Sequence, residues 1–224
     1  MYKRQGLEGT VLMIGFGRFA QVASQSLLAR GFDVAIIETD TEMIRSASTF
    51  GFKVYYGDGT RLDILKTSGA ANAQAILVCV DDQAAANRIV ELVKSEFPLT
   101  RLFVRSFDRQ HTLELIAAGV DYQIRETFES AMVFGEAALR ALGVPAEEAA
   151  DISADVRRLD QERLDLQIVG GVHAGVDLMH GNVPKPGPLT QPRRPGKVVC
   201  GETLVPLDAA RLPERVPEEL QKAS

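Results

Sequence analysis

The chain has 224 residues, 46% of them apolar and 25% charged, enough for one full core and something beyond it. Its net charge of −5 argues against a nucleic-acid polyanion as partner, because phosphate neutralisation needs a basic surface. Its longest apolar run, 75–80, is far short of the roughly 18 residues of a membrane span, and two distant cysteines, Cys79 and Cys200, with three histidines fit neither a disulfide framework nor a Cys/His metal site.

Strands and helices alternate along the first two thirds of the chain. The apolar runs predict strands at 10–14, 34–37, 53–56, 74–80, 101–105 and 121–124. Amphipathic stretches between them predict helices at 18–30, 41–50, 61–67, 83–96, 109–118 and 126–142, several stopped by a glycine or proline. Short strands alternating with helices of this length mean right-handed β-α-β units and an α/β fold, a doubly wound parallel sheet in the order 3-2-1-4-5-6. Residues 145–166 are helix-prone and highly charged, a surface helix. Eight of the ten prolines follow residue 183, so 169–224 is expected to be mostly extended or disordered, with one short ordered run near 196–199. The expected division is an extension at 1–7, a nucleotide-type fold at 8–143, the charged helix at 144–168 and the tail.

Gly15-Phe-Gly-Arg-Phe-Ala20 follows the first strand and opens the first helix, the setting that a G-x-G-x-x-[GA] phosphate loop requires. The first glycine allows the turn, the second leaves room for a pyrophosphate, and Ala20 lets helix and sheet approach. The helix start then offers its N–H groups to phosphate. Glu38 ends the second strand about 20 residues on, where a carboxylate can hold ribose hydroxyls and repel a 2′-phosphate. Arg18 is either a phosphate partner or a surface arginine, Asp40 either a ligand group or a helix cap, and Asp58 and Thr60 either an ordinary turn or a contact to the adenosine end. Asp81, Asp82 and Arg105 end the fourth and fifth strands on the same sheet edge, and Arg105 is a second phosphate candidate.

Hydride-transfer chemistry needs an acid or base beside the nicotinamide. None of Tyr2, Tyr55, Tyr56 and Tyr122 has a lysine four residues on, His111 falls in a helix, and His173 and His180 fall toward the tail. The residues point to a dinucleotide-type site without catalysis.

Gly15-Phe-Gly-Arg-Phe, Tyr56-Gly-Asp-Gly-Thr60, Val80-Asp-Asp82 and Arg125-Glu-Thr-Phe-Glu129 together resemble the RCK, or KTN (TrkA-N), regulatory domain of bacterial potassium transport, in particular the carboxyl-terminal domain of the glutathione-gated Kef antiporters. The resemblance spans about residues 8–165. It implies a non-catalytic domain that binds NAD(H) or AMP, needs no metal, forms a homodimer and gates a membrane antiporter moving potassium against protons from its cytoplasmic face. With the motifs, it implies a nucleotide-facing set of Gly15, Phe16, Gly17, Arg18 and Phe19; Glu38, Thr39 and Asp40; Asp58, Gly59 and Thr60; Val80, Asp81 and Asp82; and Arg105. It further implies a gating site for glutathione or its conjugates at Gln25, Arg125 and Asp160. Gln25 and Asp160 stand where the resembling proteins carry an arginine and an asparagine, an exchange expected to weaken binding of a net-negative tripeptide.

The helix 126–142, with Phe128, Met132, Ala138, Leu139 and Leu142, is the expected dimer seam, bringing Asp160 toward the partner's Gln25 and Arg125. Met1-Tyr-Lys-Arg-Gln5 resembles a translated library adapter, and a membrane half could precede residue 6 in the natural protein. The alternatives are a stand-alone NAD-dependent oxidoreductase and a dimerisation module without ligand.

Overall fold

The computed structural model describes residues 10–181, 197–200 and 203–206. The chain divides between His180 and Gly181. In the first part β1 (Thr10–Ile14), α1 (Arg18–Arg30), β2 (Asp33–Glu38), α2 (Thr41–Thr49), β3 (Lys53–Tyr56), α3 (Leu62–Thr67) and β4 (Ala75–Val78) lead into a second half. That half holds α4 (Gln83–Glu96), β5 (Arg101–Ser106), α5 (Arg109–Ala117), β6 (Tyr122–Arg125), α6 (Glu126–Ala141) and α7 (Ala146–Gly170). All six strands are parallel, in the order β3-β2-β1-β4-β5-β6, the doubly wound order expected from the alternation.

Both faces of the sheet are covered, which is why its strands read as unbroken apolar runs. Leu12, Ile14, Ala35, Ile37, Ile76 and Val78 point into one layer with Leu65 of α3 and Ile89 and Val93 of α4. Val11, Met13, Val34 and Ile36 point into the other, against Ala20 of α1, Ala47 of α2 and Phe52. Sequence-adjacent strand residues thus serve opposite layers, the period of two that a pleated strand imposes.

Three loops on the carboxyl edge of the sheet end in an aspartate that caps the following helix. Asp40 accepts from the N–H groups of Glu42 (2.7 Å) and Met43 (3.3 Å), Asp82 from Ala85 (2.7 Å) and Asp108 from His111 (2.8 Å).

The structure corrects two expectations about the end of the chain. The charged helix does not stop at 166: α7 runs to Gly170 and a 3-10 turn follows at Val176–Leu178. Its last turn is held because Leu164 and Gln167 are buried, the Gln167 amide accepting from Arg109 and donating to the carbonyl of Val172. In the second part the expected single run has a partner: β7 (Lys197–Cys200) and β8 (Thr203–Pro206) pair antiparallel, from Cys200↔Thr203 to Lys197↔Pro206. Pro206 stands at the last pairing position of the ribbon, where a missing N–H breaks no interior ladder bond. The other tail prolines and the adapter-like residues 1–5 lie outside the described residues.

Candidate functional site

The loops following β1, β2, β3 and β4 enclose a groove of about 360 Å³ at the carboxyl edge of the sheet. Gly15 makes the turn out of β1 at φ +85°, its N–H bonded to the Ile37 carbonyl at 3.0 Å. A Cβ there would lie 3.1 Å from the main-chain nitrogen of Val80, so the loop can rest on the end of β4 only as glycine. Gly59 serves the same end from β3: a Cβ would fall 2.4 Å from Ile14 Cγ2. Gly17, by contrast, has nothing within 4 Å of where its Cβ would stand, and no side chain caps the start of α1. The start of α1 thus borders open space on the groove at Gly17, the arrangement that receives phosphate.

Glu38 shapes this groove more than its place at a strand end suggests. Its carboxylate accepts from the N–H of Phe16 at 2.6 Å, of Thr39 at 2.7 Å and of Asp40 at 2.9 Å. It therefore pins the glycine loop to the β2–α2 turn. Phe16 offers the groove only its main chain, because its ring is buried edge-on against Phe52 at 5.1 Å. Asp58 accepts from the N–H and hydroxyl of Thr60, both at 2.8 Å, which closes the β3 loop. Asp40 and Asp82 line the groove while serving as helix caps, and Arg18 is exposed at the start of α1.

Arg105 stands where this groove meets the second half of the sheet. Its guanidinium pairs with Asp81, holds Glu126 through Nε at 2.6 Å, and lies 5.6 Å from the centre of the Phe19 ring. Asp81, Arg105 and Glu126, with Ser106, Phe107 and His111, line a smaller cavity of about 140 Å³.

A larger cleft of about 670 Å³ opens between β6, α6 and α7. Arg125 and Asp160 form an ion pair there within one chain. Sequence alone sets Asp160 toward the partner's Arg125; within the single chain, the packing of α7 on the β6–α6 junction brings it to the chain's own Arg125. Asp160 also pairs with Arg109 of α5, whose other branch donates to Gln167 at 2.9 Å. Burial, with Arg125 and Arg163 nearby, brings the Arg109 pKa down to about 10, and burial also lowers that of Arg125. The Phe128 ring lies under Arg125 at 4.2 Å and Arg157 at 5.6 Å. Arg157 binds Glu129 at 2.8 Å, a hydrogen bond that lowers the Glu129 pKa. Gln25 is exposed on α1 and does not line this cleft. Arg109, Gln167 and Glu126 had no place among the candidates drawn from sequence. Only an exchange of charge 51 positions apart links Arg109 to Asp160, and no local pattern shows it.

Two reactive residue types near the groove are tied up. Burial pushes the Cys79 thiol up to about 12, keeping it protonated. His111 is buried, its Nδ1 accepting from the Phe107 N–H at 3.0 Å and its Nε2 2.9 Å from Asn87 Oδ1. That fixes the neutral tautomer with the proton on Nε2, and desolvation lowers its pKa. Among the described residues no group of three or more His, Cys, Asp or Glu is placed to hold a metal, and no helix is long and apolar enough to cross a membrane.

A parallel sheet of this order, with a glycine loop and an acidic second strand end, defines a Rossmann-type nucleotide-binding class. Residues 11–126 match the TrkA-N domain, and the chain belongs to that family. It is 39% identical over 214 residues to a glutathione-regulated potassium-efflux system protein of Haemophilus influenzae, a match covering 96% of this chain and 33% of that protein. It is 38% identical over 155 residues to the glutathione-regulated potassium-efflux system protein KefC of Cronobacter sakazakii, covering 69% of this chain and 25% of that one. The chain thus spans a third or less of the length of these relatives. Among solved structures it is similar to the Kef CTD of Shewanella denitrificans in its AMP-bound form, with 31% identity, a TM-score of 0.63, and coverage of 71% of this chain and 97% of that one. The TrkA-N domain of the inner membrane protein ybaL from Escherichia coli shares the fold at 17% identity and a TM-score of 0.53, over 56% of this chain and 93% of that one.

Proposed function

We propose that the chain is the regulatory part of a potassium-efflux antiporter, binding an adenine nucleotide, AMP or NAD(H), and working by binding rather than by catalysis. The observation that carries this is the uncapped start of α1 facing open space at Gly17, in a groove that Glu38 has already shaped. The likeness to an AMP-bound Kef domain and to glutathione-regulated efflux proteins supports the same assignment. The oxidoreductase alternative has against it that both ring nitrogens of His111, which lines the cavity beside the groove, are engaged in structural hydrogen bonds.

The chain works as a homodimer on the cytoplasmic side of the membrane, beside a transporter that carries the ion path. Support for the dimer lies in α6, which has no buried residue and exposes Phe134, Ala138 and Leu142 at helical spacing. The cleft against α7 is the seat of a gating ligand such as glutathione, and Asp160 competes with that ligand for Arg125.

The test is titration calorimetry of the chain with AMP, NADH and NADPH, followed by an assay for nicotinamide oxidation. AMP or NADH binding without turnover is the expected result. Turnover with any small carbonyl substrate would restore the oxidoreductase.

A further inference from the structure

We propose that Glu126 is a positioning residue that ties nucleotide occupancy to the α6–α7 cleft, an inference that rests on the nucleotide reading above. Glu126 and Arg125 are consecutive, yet they serve different sites. Glu126, the first residue of α6, holds Arg105 at 2.6 Å beside the nucleotide groove. Arg125, the last residue of β6, turns to the other side and pairs with Asp160 over the Phe128 ring. The junction between β6 and α6 thus has one charged residue in each site, and neither can move far without the other.

Arg105 is the movable partner in this link. It forms ion pairs with both Asp81, whose side chain is 82% exposed, and Glu126, at 36%. A guanidinium has five N–H donors in a fixed fork and binds phosphate in the same geometry as carboxylate. A phosphate arriving at the start of α1, beside Phe19 and Asp81, competes with both carboxylates for it. Asp81, held mostly in water, yields readily. When Arg105 turns to the phosphate, Glu126 loses its partner and the first turn of α6 relaxes. The orientation that Arg125 offers Asp160 then changes. Linkage makes the effect reciprocal: whatever binds the cleft alters nucleotide affinity by the same factor.

The chain contains no tryptophan, so Phe128→Trp places a single, selectively excitable tryptophan on Arg125. AMP added to this variant is expected to give calorimetric heat and a fluorescence change that saturate together. With Glu126→Gln added, AMP still binds and the fluorescence change is lost. Amide exchange of residues 126–130 in the chain without the tryptophan gives a second readout, altered by AMP in the parent and unaltered in Glu126→Gln; it decides if the tryptophan variant does not fold. A full response surviving Glu126→Gln overturns the proposal. AMP heat with neither response overturns the coupling and leaves nucleotide binding standing, whereas no AMP heat in the unmodified chain removes the nucleotide reading and this link with it.

Discussion

Asp160 of α7 and Arg125 of β6 are bound to each other within one chain, and Asp160 takes Arg109 of α5 as a second partner. All three side chains are only 15% exposed, so one carboxylate neutralises two sheltered guanidiniums. Asp160→Asn leaves Arg109 without its counter-charge and Arg125 with only the more distant Glu129, and is expected to cost about 3 kcal/mol of stability. The same variant frees the two cations for a ligand carboxylate. Glutathione should therefore raise the melting temperature of Asp160→Asn more than that of the parent chain, and equal shifts would remove Asp160 as the competitor.

Gly17→Val tests the phosphate end of the groove. With nothing within 4 Å of its Cβ, a side chain there meets no neighbour in the protein. The cost is that of replacing a glycine at a helix cap, on the order of 1 kcal/mol. AMP affinity is expected to fall at least tenfold, about 1.4 kcal/mol, with the melting temperature of the nucleotide-free chain lowered by only about 2–4 °C. Unchanged affinity would place the phosphate elsewhere.

How much of this was legible in the sequence depended on the range of the interaction. The sheet was, because Val11 to Ile14 and Val34 to Ile37 are buried on both faces, and burial on both sides leaves an unbroken apolar run. The caps at Asp40 and Asp82 are local hydrogen bonds across two or three residues, also within reach of a sequence pattern. What escaped was the bond from the Phe16 N–H to Glu38, 22 positions away, and the ion pairs of Asp160, 35 and 51 positions from their partners. Residue type and a place at the end of the second strand point Glu38 to a ribose; its oxygens also hold three main-chain N–H groups. The end of α7 escaped for a related reason: Gln167 is polar but buried, and its burial follows from Arg109, which no neighbouring residue announces.

Glu38 gives the proposed nucleotide specificity its sign. With its carboxylate fixed by three N–H groups, it cannot swing away from a 2′-phosphate. NADPH is expected to bind at least tenfold more weakly than NADH, about 1.4 kcal/mol, as read by calorimetry. Glu38→Gln should narrow that ratio and also loosen the glycine loop, seen as faster amide exchange at Phe16. Equal affinities in the parent chain would show that the 2′-position does not meet Glu38.

His111 predicts how stability depends on pH. Burial lowers its pKa in the folded chain, while Glu114 and Asp108 pull the other way. In the unfolded chain it titrates near the ordinary value of about 6.5. Below that pH the unfolded state binds a proton that the folded state resists, so stability falls as pH drops. Above it both states hold the neutral ring and the contribution is flat. The slope from this single group is at most about 1.4 kcal/mol per pH unit. Melting curves from pH 8 to 5.5 should show the decline below about 6.5, and His111→Gln should reduce its slope whatever it does to the absolute stability. An identical slope in the variant would assign the decline to other groups.

The proposed dimer rests on α6. Phe134, Ala138, Ala141 and Leu142 follow the i, i+4, i+7, i+8 spacing of one helical face, and all four are exposed, Phe134 at 77% and Leu142 at 83%. Phe128, Met132 and Leu139, on the adjoining face, are the half-buried ones. Two copies meeting along the exposed face would remove it from water at about 25 cal/mol per Å² of apolar surface, and a two-fold axis would match each face to itself. Light scattering is expected to give twice the chain mass of 24.4 kDa. Phe134→Glu should bring it to the single-chain value, because the contact then sets two carboxylates near the axis with no cation on that face. Since Phe134 touches little within its own chain, the helical signal in circular dichroism should survive. A parent chain that already scatters as a single copy would leave α6 without its partner, and a Phe134→Glu chain that stays paired would move the interface off this face.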